Sequence, residues 1–361
     1  MALAAITVAL LGAAFVASGA APAAAEDSTL TITAGEGENG YAINAFLPQN
    51  ISVITGTTVR WELPWYEPHI IAGCIGAPPD EEPEAPIGGD FPNAEGCFFL
   101  PFTFGDPANP PTFEVRFVEA GTYDYFCPIH PQMVGQVKVF DEGSAGSQGV
   151  DNQQSADARA AAELNTRLIN IKGIAAEIVA RGTKVTTNPN GTKHYEVTVG
   201  GNSLYGDDVM QFIAASLNVK VGDSVTWKSN SPSPHNVLFG GPPKGDPFEY
   251  PGDPDGSKYD GSAAAQSAMM FNDGQSPNSF ELVFTKEGSF QYICMLHAPQ
   301  GMAGVINVGP SDRPQAPGAP NTGSGLDTQG SPWAGWALVL GALLTCGALG
   351  AGVAIGARRQ R

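Results

Sequence analysis

The sequence predicts an all-β protein: two tandem Greek-key β-sandwich domains, a linker with one helix between them, and a C-terminal transmembrane helix. Three observations carry this reading. Gly (45) and Pro (30) punctuate the 361 residues densely, which favours short strands and turns over long helices. The chain repeats itself at a nearly constant offset. Its end is an uncharged apolar run followed by arginines.

The repeat is visible residue by residue. Phe46, Gly56, Trp61 and His69 match Phe212, Gly222, Trp227 and His235 at one offset of 166 (from 46 to 212). Phe113, Gly121, Cys127 and His130 match Phe280, Gly288, Cys294 and His297 at 167 (from 113 to 280). A register held over most of a domain marks an internal duplication.

In chain order, residues 1–25 are nearly all Ala, Val, Leu and Gly and end in Ala23-Ala24-Ala25, the pattern of a signal peptide. No Lys or Arg precedes this run, so the signal is atypical or the true start lies upstream. The first domain, 26–141, shows alternation at Ile51–Ile54, a turn at Gly56, and a strand reaching Trp61. Phe113–Phe117 alternates again, and after Gly121 a strand runs into Cys127. The linker, 142–185, opens with polar residues. A helix follows, because Leu164, Leu168, Ile171, Ala175 and Ile178 share a face and Gly182 suits a C-terminal cap. The second domain, 186–309, repeats the strand pattern at Leu217–Trp227 and Phe280–Phe284. The stretches from His69 to Phe113 and from His235 to Phe280 are rich in Pro, Gly and acid, and are expected to be loop excursions.

Residues 310–332 are a Pro/Gly-rich stalk. Residues 333–357 carry no charge; at ~1.5 Å per residue they can cross a ~30 Å hydrocarbon core. Trp333 and Trp336 suit the interface, and the basic tail at 358–361 predicts a cytoplasmic C-terminus. The expected location is the cell membrane, single-pass, with extracytoplasmic domains. An alternative comes from Pro320-Asn321-Thr322-Gly323, similar to the core of a cell-wall sorting signal, although Ala319 stands where Leu is usual.

A net charge of −18 argues against nucleic acid as a partner and suits either a cationic partner or simple solubility. Of five cysteines, Cys127 and Cys294 fall in the repeated loops and Cys346 in the apolar tail. Cys74 and Cys97 remain, and an oxidising compartment predicts a disulfide between them, with two free thiols as the alternative.

The repeat carries one chemical phrase twice. Cys127, His130 and Met133 lie on one short loop with His69 upstream; Cys294, His297 and Met302 do the same with His235 upstream. Two imidazoles, a thiolate and a weak axial thioether form a ligand set suited to copper. Zinc is the rival metal, but it prefers closed Cys/His shells and seldom takes Met.

An upstream His followed by Cys-x-x-His and a nearby Met, ending a Greek-key β domain, resembles the cupredoxins, the small blue copper proteins. The first copy has an amicyanin-like short loop. The second has plastocyanin- or pseudoazurin-like spacing, and Pro234-His235-Asn236-Val237 looks like the plastocyanin segment carrying the first ligand. The first copy departs at Pro128, directly after the cysteine, where members often place Pro just before the His.

The resemblance implies two type 1 copper sites cycling Cu(II)/Cu(I), with the exposed edges of His130 and His297 as electron ports. The implied partners are redox proteins, such as a cationic cytochrome or a membrane electron-transfer complex. The reading is of a carrier, not an enzyme: the chain has five His, and only His194 remains to supply a catalytic copper. Neither cysteine has a neighbouring His that could hold one. A copper-binding or delivery module for another complex is the alternative class.

Overall fold

The computed structural model describes residues 28–76 and 83–309, so the expected signal peptide, stalk, transmembrane segment and basic tail lie outside the described residues. Among the described residues no helix is long and apolar enough to cross a membrane. What is described is mostly β-sheet with one α-helix.

The alternation read from the sequence becomes burial on one face of each strand. Ile51 and Val53 are buried in strand Asn50–Ile54, Val59 and Trp61 in Thr58–Glu62, and Phe113, Val115 and Phe117 in Thr112–Phe117. Period-2 patterns of this kind place one face of a sheet against a core. Two sheets enclose that core. One runs, in spatial order, Tyr41–Leu47, Thr29–Glu38, Thr58–Glu62, Thr112–Phe117, Gly89–Phe91. The other runs Asn50–Ile54, His130–Phe140, Gly121–Cys127, Pro68–Cys74, Cys97–Phe104. Trp61 lies at the centre, its ring 5.6 Å from Phe98, 5.8 Å from Phe113 and 5.2 Å from Tyr125.

The second half repeats this order. Lys193–Val199, Ser224–Ser229, Ser279–Phe284 and Ser257–Tyr259 are neighbours in one sheet. Ser216–Val219, Ala303–Val308, Gly288–Ile293, Leu238–Phe239 and Ala265–Gln266 are neighbours in the other. Trp227 takes the place of Trp61, 5.3 Å from Phe239, 6.1 Å from Phe280 and 5.2 Å from Tyr292.

The expected loop excursions are not wholly loops. The first carries strands Gly89–Phe91 and Cys97–Phe104, and the second carries Ser257–Tyr259 and Ala265–Gln266. Phe98, Phe99 and Leu100 are buried, and that apolar run outweighs the surrounding Pro and acid. Cys74 and Cys97 face each other across paired strands and form the disulfide.

Helix Gln153–Arg181 starts at an Asn152/Ser155 capping box and stops at Gly182, whose φ of 70° is costly for other residues. Ile171, Ala175 and Ile178 bury against Tyr41, Ile43, Ala45, Leu47, Val209 and Ile213. This face therefore packs against both halves at once.

The halves also share a sheet. Asp208–Val209, from the second half, pairs with Ala42 and Tyr41 at the free edge of the first half's sheet. The backbone of Met210 donates to Gly40 at 2.8 Å, and Gly40 donates to Gln300 at 2.7 Å. Asp208 is buried and accepts from Ser231 (2.8 Å), Ser233 (2.6 Å) and Asn44 (3.1 Å). Burial still raises its carboxyl to about 6. Beside it, Arg167 pairs with Asp207 at 2.7 Å.

Candidate metal centres

In the first half the strand ending in Cys127 lies beside the strand that holds His69; in the second, Cys294 directly follows strand Gly288–Ile293, which pairs with Leu238–Phe239 just after His235. The upstream ligand candidate therefore meets the loop although it is 58 residues away in the first half. Cys127 ends its strand and His130 begins the next, so a three-residue step folds the ring back toward the sulfur. Cys127 Sγ lies 3.5 Å from His130 Nδ1 and 4.0 Å from His69 Nδ1. In the second half, Cys294 Sγ lies 3.5 Å from His297 Nδ1, which is 3.0 Å from His235 Nδ1. Within each trio the donor atoms lie within 4.8 Å of one another.

Met133 and Met302 are fully buried in the same apolar clusters as Cys127 and Cys294. The second loop is closed by its backbone: Cys294 donates to Met302 and Met302 to His297, both at 3.0 Å. His194 belongs to neither trio; its Nδ1 sits 2.8 Å from Ser224 Oγ.

The donor set fits a copper ion. Bonds of ~2.0 Å to nitrogen and ~2.3 Å to sulfur, meeting near a trigonal plane, separate donor atoms by roughly 3.5–3.8 Å. The separations above bracket that range. Burial pushes His130 down to about 4 and His235 down to about 3, and holds His69 and His297 well below the usual imidazole range. The four rings are therefore neutral at ordinary pH and able to bind a cation. Burial also raises both thiols to about 11. A coordinated cation reverses that and deprotonates the thiol. Each sulfur meets a backbone N–H from the residue after the upstream His: Ile70 at 3.3 Å from Cys127, and Asn236 for Cys294. Such contacts tune a metal–thiolate bond.

Two glycines absent from the sequence reading shape the pockets. Gly35 (φ 76°) lies so close to His69 that a Cβ there would fall 1.9 Å from Nε2. Gly200 (φ 68°) leaves 2.5 Å to His235 Nε2. Among the described residues neither Nε2 has a hydrogen-bond partner.

One expectation is overturned. The His297 edge is not exposed: the residue is 4% accessible, and its Nε2 lies 3.6 Å from Glu67 Oε1 of the first half. Glu67 also accepts from the Gln300 side chain, and burial pushes its carboxyl up to about 8, with Gln300 opposing and Asp208 adding to the rise. His130 is part-exposed, among the exposed apolar side chains Phe126, Ile129 and Val134.

The fold and the two trios define a β-sheet protein with two candidate soft-ligand metal pockets. Residues 196–309 match the family model described as copper binding proteins, plastocyanin/azurin family. Plastocyanin of Daucus carota is 30% identical over 113 residues, 31% of this chain and 98% of that protein. Plastocyanin of Capsella bursa-pastoris is 29% identical over 115 residues, again 31% of this chain and 98% of its own length. Among solved structures, the reduced Cu(I) form of an amicyanin mutant is 23% identical, covering 32% of this chain and 85% of that one at a TM-score of 0.23. Through residues 196–309 the chain belongs to the plastocyanin/azurin family of copper-binding proteins.

Proposed function

We propose that this is an electron-transfer protein with two tandem cupredoxin-like domains, at 26–141 and 186–309, each holding one type 1 copper. His69, Cys127, His130 and Met133 would hold one ion, and His235, Cys294, His297 and Met302 the other. Copper bound to such a set supplies one-electron Cu(II)/Cu(I) chemistry with little ligand rearrangement. The observation that carries the reading is the convergence of two imidazoles and one buried thiol in each half. The protein's own residues do the rest. The sheet pairings fix the ligands in place, the apolar cores exclude water, and the backbone N–H groups orient and tune the sulfur.

We further infer that the domains lie outside the cytoplasm and are held at the membrane by residues 333–357. The Cys74–Cys97 disulfide supports an oxidising compartment. The acidic composition favours a cationic redox partner. Copper analysis and visible absorption of the purified protein test the core of the reading. Two copper ions per chain, an intense thiolate-to-copper band and reversible one-electron reduction of both are expected. A colourless zinc protein would overturn it, and metal transfer without redox turnover would favour the delivery class.

A further inference from the structure

The contact between Glu67 and His297 joins the halves at the point where one of them holds its metal ligands. Glu67 stands two residues before His69 and so belongs by sequence to the first centre. Its carboxyl, however, reaches the second: Oε1 lies 3.6 Å from His297 Nε2 and accepts from Gln300, a residue of the loop between Cys294 and Met302. Glu67, His297 and Gln300 are all buried.

The ring's orientation gives the contact its meaning. His297 Nδ1 faces Cys294 Sγ at 3.5 Å and His235 Nδ1 at 3.0 Å, so its lone pair is turned toward the pocket. With Nδ1 as the ligating atom, the ring carries its proton on Nε2, facing Glu67. The first half also grips the loop's backbone, through Gly40 N–H to the Gln300 carbonyl at 2.7 Å. Asn39 packs so closely that a Cβ at Gly301 would lie 1.8 Å from its Oδ1. Glu67 is itself fixed by Gly105, whose N–H donates to its carbonyl at 3.2 Å.

Among the described residues the carboxylate contact has no counterpart at the first centre, although Gln132, which matches Gln300, packs against Gly206 of the second half. The repeat places Ser233 where the first half has Glu67, each followed by Pro and His. Ser233 donates to Asp208 at 2.6 Å instead, and His130 remains part-exposed.

We propose that Glu67 is a positioning residue supplied by the first half to the second centre, holding the His297 ring from its Nε2 side and closing that edge to solvent and partners. Metal affinity at the second centre then depends on the junction between the halves, whereas the first centre keeps the one ligand edge open to a partner, His130. This rests on the two-centre reading above.

The test uses the full chain and its Glu67→Ala and Glu67→Gln variants. Each is made in a Cys127→Ser background, which leaves the second centre, and in a Cys294→Ser background, which leaves the first. Copper(I) affinity is measured against a competing chelator. Loss of a neighbouring group that orients a ligating His costs ~10–100-fold in metal affinity. Glu67→Ala should weaken the second centre by that factor and leave the first unchanged, with Glu67→Gln restoring most of it. Equal weakening of both centres, or of neither, overturns the proposal. A second readout needs no copper: proton–nitrogen NMR of the histidine rings in the metal-free protein. The His297 Nε2–H should exchange slowly with solvent in the parent and in Glu67→Gln, and fast in Glu67→Ala, while that of His130 exchanges fast throughout. A His297 proton exchanging as fast as that of His130 in the parent also overturns the proposal. If neither centre takes up copper, the electron-transfer reading fails, and the exchange data still decide the contact.

Discussion

The two centres share a donor set and differ in what surrounds it. In the first, His130 is part-exposed beside Phe126, Ile129 and Val134, and among the described residues no carboxylate of the other half pairs with it. In the second, His297 is enclosed by Glu67, and the ligand loop is pinned by Gly40 and Asn39. Position 70 versus 236 adds a further difference. The Asn236 side chain accepts from Met295 N–H at 2.8 Å and so ties the upstream His segment to the Cys loop, which the apolar Ile70 cannot do. The repeat carries the same candidate ligands twice, and the clearest difference in exposure is confined to His130, part-exposed, against His297, buried.

The largest expected effect tests whether the centres are separable at all. Cys127→Ser and Cys294→Ser should each abolish one thiolate-to-metal band completely and leave the other, as read by visible absorption. Loss of both bands from either change would show that the halves do not hold metal independently.

Next in size are the glycines. Gly35→Ala and Gly200→Ala force a side chain into positive φ and against an imidazole, at a cost of order 2–4 kcal/mol. Gly35→Ala should be the worse, because its clearance is 1.9 Å against 2.5 Å. Denaturant unfolding ranks them, and the reverse order would mean the second pocket is the tighter.

The junction should be pH-sensitive through Asp208. Its folded value of about 6 lies above the ordinary 3.8, so the folded state binds more protons between those values. That contribution to stability is fully present below about pH 4 and is lost as pH rises through about 6. Asp207 and Arg167 are neighbouring charged groups at the junction, and Glu67, raised to about 8 by burial and in part by Asp208, titrates there too. Asp208→Asn should flatten the stability–pH profile in that window by on the order of 1–3 kcal/mol. An unchanged slope would place the titration elsewhere.

Smallest is Asn236→Ile, which gives the second half the residue type of the first. It leaves the buried Met295 N–H without its acceptor, a cost of ~1–2 kcal/mol. It should also broaden the absorption band of the second centre alone. A broadened band at the first centre would contradict the assignment.

The candidate ligand residues were legible because three of each four fall within one loop and the repeat marks the fourth. The helix was legible from the spacing of Ile171, Ala175 and Ile178, and the strands from alternation such as Phe113-Val115-Phe117. The excursion strands were hidden because Pro and acidic residues surround the run Phe98-Phe99-Leu100. Glu67 was illegible for a different reason. Its role depends on how two halves dock, and docking leaves no periodicity; its place beside His69 even points to the wrong centre. Gly35 and Gly200 act on rings 34 and 35 positions away (35 to 69, 200 to 235), a contact that only strand pairing creates.

Strand Asp208–Val209 lies antiparallel to the edge strand Tyr41–Leu47, the segment that matches it in the repeat. Two separate chains could meet in this way, but their encounter would weaken on dilution. Here helix Gln153–Arg181 and its flanks connect the two surfaces covalently, which fixes their effective concentration whatever the abundance of the protein. Fusion thus turns the enclosure of one pocket into a property of the single molecule, undiminished even at one copy per cell.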